Sequence, residues 1–269
     1  MASTLAKRWI TGLILSAVIF AIIVFASSFV LAALIAIVAA GGIWEYNNIV
    51  LGKGFLKEKI EGTFFAVMIP LVIYLGGSQF VVPVLAFSIL LTFILFLSSI
   101  KDASFDVMTV AKVVLGVMYI PFLLSHFILL RNLEKGTLWI LFVLVLAFAG
   151  DITALYAGKY LGKHKLSPLI SPAKTVEGTI GLIFGSTAAC LIFSYFIFPE
   201  ISLVKTGVLA FVGSIIGQLG DLSESAIKRN YGLKDASSLL PGHGGLLDRL
   251  DCILFITPFV YYYRIYVIG

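Results

Sequence analysis

Residues 9–44 read WITGLILSAVIFAIIVFASSFVLAALIAIVAAGGIW, thirty-six residues without a charge. A membrane helix needs about 20 consecutive apolar residues. The run is therefore long enough for two helices, and Ser27–Ser28 marks where it divides. Lys7 and Arg8 ahead of it resemble the start of a signal peptide. The run is too long for one and shows no clear cleavage site, which favours an uncleaved first span.

The rest of the chain repeats this pattern. Of 269 residues, 60% are apolar and 12% charged, whereas charged residues make up about a quarter of a soluble domain. Mean hydropathy is +1.09. These values describe an all-α, polytopic transmembrane bundle, read as a single integral-membrane domain over 1–269. Nine apolar windows stand out, at about 9–27, 28–46, 61–77, 79–99, 112–131, 137–157, 177–198, 203–222 and 249–268. The chemistry-bearing residues lie in the half from about 137 to 269, and the half from about 1 to 136 is less specific. No convincing internal repeat is visible, which argues against a repeat-built transporter. Gly181–Gly185 and Gly213–Gly217 are small-xxx-small pairs suited to close helix packing. Cys190 and Cys252 are isolated in apolar surroundings and imply no disulfide framework, and three scattered histidines give no zinc spacing.

Charge sets the direction of the spans. With the N-terminus inside, Lys7, Arg8, Lys53, Lys57, Lys59, Lys101, Lys112, Lys159, Lys163, Lys165, Lys174, Lys228, Arg229, Lys234 and Arg249 fall on inner segments. Only Arg131, Lys135, Lys205 and Arg264 fall outside, a split of 15 to 4 that follows the positive-inside rule. The expectation is an N-terminus in the cytoplasm and a C-terminus outside. The net charge of +5 then reflects topology and anionic lipid, with no pointer to nucleic acid. In this orientation Asp151, Asp221, Asp248 and Asp251 share a similar depth on the cytoplasmic side.

Residues 225–251, SAIKRNYGLKDASSLLPGHGGLLDRLD, break the apolar rule. Polar groups at the edge of a bilayer core are costly, so such a cluster is a functional-site hypothesis by default. Just before it, Asp221, Glu224, Ser225 and Lys228 are spaced i, i+3, i+4, i+7 and share one helical face; a snorkelling, solvated helix end would carry the same pattern. Leu240 to Gly245 is a Gly-rich turn ahead of a helix, where Gly242, Gly244 and Gly245 let backbone N–H groups approach an anion, although most such turns merely connect elements. Gly158 to His164 has the wrong spacing for a P-loop. Asp248 and Asp251 lie on one face; oxygen ligands without His or Cys suit Mg²⁺, and an internal ion pair with Arg249 competes with that reading. Ser171 to Gly178, with Lys174 and Thr175 as donors, is a basic inner turn. Lys163, His164 and Lys165 read as positive-inside charges.

The stretch Ser225-x-x-Lys228-Arg229-x4-Lys234-Asp235, followed by Pro241-Gly242-His243-Gly244-Gly245-x-x-Asp248-Arg249-x-Asp251, closely resembles the hallmark of the phosphatidate cytidylyltransferase (CDP-diglyceride synthase) family. Gly150-Asp151 through Gly162 and Ser171-Pro-x-Lys-Thr-x-Glu-Gly178 agree as well. The first half agrees mainly in hydropathy, with Arg8 and Trp44-Glu45 as weak local echoes. Ala173, Val176, Ala236-Ser237 and Cys252 depart from the family's usual residues, and none of them is assigned to metal or phosphate.

The resemblance implies transfer of the CMP moiety of CTP to phosphatidic acid, giving CDP-diacylglycerol and pyrophosphate. It implies Mg²⁺ on Asp221, Asp248 and Asp251, with Asp151 as ligand or supporting partner, and leaves room for a second metal or a monovalent cation. Lys174, Thr175, Ser225, Lys228, Arg229, Lys234 and Arg249 would hold phosphates, with Asp235, His243 and the glycines around the turn. The expected setting is the cell inner (cytoplasmic) membrane, with membrane lipid as partner and a homodimer as the assembly. A CTP-dependent lipid kinase and an ion-coupled transporter are the rival readings. The transporter reading expects ionisable residues near the midplane, whereas here they gather at one face beside a base-rich loop.

Overall fold

The computed structural model describes residues 17–100, 106–237, 239 and 244–269. Lys7, Arg8, Lys101, Gly242 and His243 from the sequence reading lie outside the described residues. Apart from one small hairpin, the regular structure among the described residues is helical. Among the described residues, helix α1 occupies 17–25. It is followed by α2 (Ser28–Val50), α3 (Leu56–Gly76), α4 (Val81–Ser99), α5 (Met108–Val117) and α6 (Leu123–Arg131). Then come α7 (Gly136–Leu161), strands β1 (Lys165–Ser167) and β2 (Ser171–Thr175), α8 (Val176–Ile197), α9 (Leu203–Asn230) and α10 (Asp251–Tyr263). Seven helical stretches are long and apolar enough to cross a membrane, by length and composition: Ser28–Val50, Leu56–Ser99, Met108–Arg131, Gly136–Leu161, Val176–Ile197, Leu203–Asn230 and Asp251–Ile268. The protein is a multi-pass membrane protein.

The breaks have local causes. Ser27 caps α2 by accepting a hydrogen bond from Val30 N, a preferred cap residue satisfying an orphan donor. Leu56–Ser99 is two helices, because Gly77 adopts φ 67° after α3 and a 3₁₀ turn, Gly77–Phe80, leads into α4. Positive φ is easy for glycine and costly for residues with a Cβ. Between α5 and α6 lies a π turn, Met118–Phe122, that contains Pro121; proline lacks the N–H that the helical ladder needs there. The nine windows of the sequence divide Leu56–Ser99 in two and include the helix at 17–25. Five boundaries lie well outside those windows: α2 runs to Val50, α3 starts at Leu56, α5 starts at Met108, α7 runs to Leu161 and α9 runs to Asn230. Beyond residue 222 the sequence is polar but keeps helical spacing, so hydropathy alone ends the window too early.

The chain folds as two compact units. The first comprises 1–132 and 235–248, the second 133–234 and 249–269. In the first, α2, α3, α5 and α6 pack together around the fully buried Ile43, Tyr46, Phe65, Ile69, Ile120 and Ile128. Lys59 of α3 donates to Asn48 Oδ1 at 2.7 Å and to the Gly52 carbonyl at 2.6 Å, tying the α2–α3 turn. In the second unit, α7 packs against α8, α9 and α10, and α9 also packs against α8 and α10. Trp139, Phe142, Leu254 and Val260 are buried there.

The four basic residues assigned to the outer side are each held by protein groups. Arg131 donates from both terminal nitrogens, at 2.9 Å each, to the carbonyls of Ile23 and Ala26 at the end of α1. Lys135 pairs with Glu200. Lys205 donates to the Val267 carbonyl at 2.7 Å, and Arg264 lies over the Trp139 ring. Charges that breach a topological bias are tolerated where they satisfy helix ends and aromatic faces.

Candidate active site

In the second unit, close helix approach brings three carboxylates together. Gly217 and Gly220 on α9 lie against α10: a Cβ at Gly217 would come 2.7 Å from Ile256 Cδ1, and one at Gly220 2.6 Å from the Asp251 carbonyl oxygen. Small residues are what allow helix backbones to approach this closely in a membrane. The next residue on α9 is Asp221, and α10 begins at Asp251. Gly178 and Gly158 do the same for α7 and α8, since a Cβ on Gly178 would come 3.4 Å from Gly158 Cα. Asp151 projects from α7. The three carboxylates Asp151, Asp221 and Asp251 lie within electrostatic reach of one another. Sequence depth placed them at one level, and the packing of α7, α9 and α10 makes them neighbours.

A base arrives from outside the helices. β1 and β2 pair antiparallel, with Lys165 opposite Thr175 and Ser167 opposite Ser171. The hairpin carries Lys174, whose ammonium forms an ion pair with Asp221. Both side chains are mostly buried, at 21% and 28% exposure. Lys174 also lies within electrostatic reach of Asp151 and Asp251, and Arg249 of Asp151. Three carboxylates against two bases leave a formal charge of −1 (−3 + 2). A narrow crevice bordered by Asp151, Asp221, Gln218, Ser186, Ser214 and Cys252 opens beside them.

Other expected residues have protein partners. Thr175 caps α8 by accepting from Gly178 N at 3.1 Å. Lys228 pairs with Glu224 at 2.6 Å, both nearly buried. Ser225 is buried on the same face. Arg229 donates to the Ile170 carbonyl at 3.2 Å and to that of Leu233 at 2.6 Å, bracing the hairpin connection against the end of α9. Glu177 accepts from Lys163 N at 3.1 Å and His164 N at 3.2 Å, and its carboxylate meets His164 Nδ1 at 2.6 Å. Lys234 and Arg249 are exposed.

The remaining motif residues belong to the first unit. Asp235 is exposed there. Asp248 stands in a 3₁₀ turn, Leu247–Arg249. Its carboxylate accepts from Ala236 N at 3.0 Å and from Gly245 N at 2.7 Å, which closes the segment on itself. Gly244 adopts φ 78°, which explains glycine at that point. Glu45 of α2 holds the same segment: it accepts from Ser237 Oγ, Leu246 N and Leu247 N. Sequence reading gave Glu45 no role. The signal for it was there, since it is the sole charged residue from 9 to 52, and an intramembrane carboxylate needs a partner.

The family model for cytidylyltransferases matches residues 6–267. The chain belongs to the cytidylyltransferase family. Among curated members it is similar to the phosphatidate cytidylyltransferase of Bacillus subtilis, 39% identical over 188 residues, covering 70% of this chain and 68% of that protein. It is similar also to that of Staphylococcus saprophyticus, 40% identical over 160 residues, covering 60% of this chain and 58% of that protein.

The family's chemistry requires charge neutralisation, and the donor set fits a hard divalent cation. The acidic cluster offers carboxylate oxygens with a formal excess of negative charge, and Lys174 already lends one of them a positive partner. Among the described residues, no three His, Cys, Asp or Glu side chains are drawn tightly enough to hold a metal by themselves. A cation there would need water or substrate phosphates to complete its coordination, a mode that Mg²⁺ commonly uses.

Proposed function

We infer that this chain transfers the CMP moiety of CTP to phosphatidic acid, giving CDP-diacylglycerol and pyrophosphate for phospholipid synthesis. The observation that carries the reading is the cluster of Asp151, Asp221 and Asp251 with Lys174, inside a chain that matches the cytidylyltransferase family along nearly its whole length. A phosphate oxygen of the lipid attacks the α-phosphorus of CTP. The bond from that phosphorus to the oxygen bridging to the β-phosphate breaks, and pyrophosphate leaves. Phosphatidate is already ionised near neutral pH, so the enzyme needs no general base. Its work is to position two anions and to neutralise them.

Asp151, Asp221 and Asp251 would hold Mg²⁺, which when bound supplies Lewis-acid charge stabilisation at the phosphates. The motif assigns Asp248 to the metal as well, and that assignment rests on the resemblance. Lys174, resting on Asp221, and the exposed Arg249 are the bases best placed to turn to phosphate oxygens. Lys228 and Arg229 brace α9 and the hairpin beneath them. Nine spans, an N-terminus in the cytoplasm and a catalytic face toward cytosolic CTP follow from the 15-to-4 charge split. In a bacterial cell this is the cytoplasmic membrane.

The test uses purified protein in detergent with phosphatidate and cytidine-labelled CTP. Label in the lipid with pyrophosphate released supports the transferase. Labelled soluble CDP with phosphate in the lipid supports a CTP-dependent kinase instead, and turnover of neither kind removes both.

A further inference from the structure

Glu45 takes no part in the chemistry above, yet it is one of the most thoroughly bonded carboxylates in the first unit. It is 4% exposed on α2. Oε1 accepts from Ser237 Oγ at 2.5 Å and from Leu246 N at 3.0 Å, and Oε2 accepts from Leu247 N at 2.8 Å. The donors lie 192 to 202 residues away in sequence. A buried carboxylate is expensive unless such bonds satisfy it, and bonds to a charged acceptor are roughly twice as strong as neutral ones.

The fit around these bonds is shaped by two glycines. Gly41 precedes Glu45 by four residues and so shares its face of α2. A Cβ there would come 2.8 Å from Leu246 Cδ2, so the missing side chain makes room for Leu246. Gly245 is backed against the carboxylate itself: a Cβ would lie 2.7 Å from Glu45 Oε2 and 2.9 Å from Ser237 N. Leu247 is fully buried beside them. One helix turn of α2 thus grips residue 237 and residues 245–247 at once. Asp248 follows immediately, and its carboxylate is fixed by N–H groups from the same two stretches, Ala236 and Gly245.

We propose that Glu45 is a positioning residue for nucleotidyl transfer, acting through the segment it grips to fix Asp248. Neutralising it reverses part of the chemistry. Glutamine at 45 presents an NH₂ group in place of one of the two oxygens, so either Leu246 N or Leu247 N loses its acceptor and a donor faces a donor. The activity readout rests on the transferase reading. The hydrogen-exchange readout does not.

The experiment compares the full-length wild type with Glu45→Gln, Glu45→Asp and Ser237→Ala in detergent. It measures amide exchange at 236–237 and 244–248, thermal melting, kcat, and KM for CTP. Glu45→Gln is expected to speed exchange at Leu246 or Leu247, whichever amide faces the NH₂ group, by roughly 10- to 100-fold, the factor expected when a hydrogen bond to a charged group is lost. It is expected to lower kcat by a similar factor of about 10 to 100 while KM for CTP moves less than about threefold, because the residue acts on arrangement and not on nucleotide contact. Glu45→Asp restores part of both, and Ser237→Ala, which removes one bond of three, shows a smaller change in the same direction. Unchanged exchange in Glu45→Gln overturns the proposal, and so does faster exchange with wild-type turnover. A uniform loss of activity that merely tracks unfolding in all three variants overturns it too. Should the wild type transfer no nucleotide, the transferase reading fails, and exchange alone still decides whether Glu45 grips the segment.

Discussion

Replacing Asp221 by asparagine separates the two jobs this carboxylate holds, pairing with Lys174 and binding the metal–nucleotide. Two unit charges about 4 Å apart interact by about 4 kcal/mol at an effective dielectric near 20. The pair retains 21% and 28% exposure, and Asp151 and Asp251 remain within reach of Lys174 as substitutes. The net loss in folding stability should therefore be modest, about 1–2 kcal/mol, which for a chain of this size shifts the melting temperature by roughly 2–8 °C. A cycle with Asp221→Asn, Lys174→Met and the double variant should give a coupling of about 1–2 kcal/mol. Activity should respond far more strongly. The substitution takes the cluster's formal charge from −1 to 0 and removes an oxygen donor, so transfer of label from CTP to lipid should fall by about 10²–10³-fold, the scale of losing one charge-stabilising group in a preorganised site. Asp221→Asn with turnover within a few-fold of wild type would refute the metal assignment. A coupling near zero would refute the ion pair.

Further outcomes follow from the same geometry. Chelation with EDTA should abolish transfer, and excess Mg²⁺ should restore it without refolding, as judged by an unchanged melting curve. Asp251→Asn should lower turnover by about 10²-fold or more at little cost in melting temperature, because it removes a carboxylate from a crowded acidic cluster. Gly217→Val should destabilise by about 1–3 kcal/mol through overpacking against Ile256 and should lose activity as α9 and α10 part; a fully active, equally stable variant would show that their close approach is not needed. A cysteine placed at exposed Lys163 should react with an impermeant maleimide only when the cytoplasmic face is open to the reagent, and labelling from the opposite face would reverse the assigned topology.

Much of the site was legible because membrane proteins place charges under strong constraint. Asp151, Asp221 and Asp251 stood out as carboxylates in apolar helices, and counting basic residues assigned them, with Asp248, to one depth; the fold brings the first three within electrostatic reach of one another, whereas Asp248 belongs to the first unit. The Gly213–Gly217 pair also read correctly as a packing surface. The short-range uses of polar groups were hidden. Lys228 and Arg229 match a phosphate-binding motif, yet in the fold they meet Glu224 and the carbonyls of Ile170 and Leu233. The hairpin that delivers Lys174 was missed because strands of three and five residues have too few alternations to register as a period. Glu45 was noted only as a local echo of the family and given no role, because its partners lie some two hundred residues downstream and no local pattern names them.

That separation has a consequence for how the protein is made. The chain leaves the second unit after Lys234, contributes residues 235–248 to the first, and returns at Arg249. At synthesis rates of about 5–20 residues per second, the ribosome needs on the order of 10–40 s to reach Ser237 after Glu45 has been made. Throughout that interval an acidic side chain waits inside a newly inserted helix for partners that have not yet been translated. Completion of the N-terminal bundle is therefore among the last events of biogenesis, and a nascent chain stalled before residue 237 should be the form most readily seized by membrane quality control.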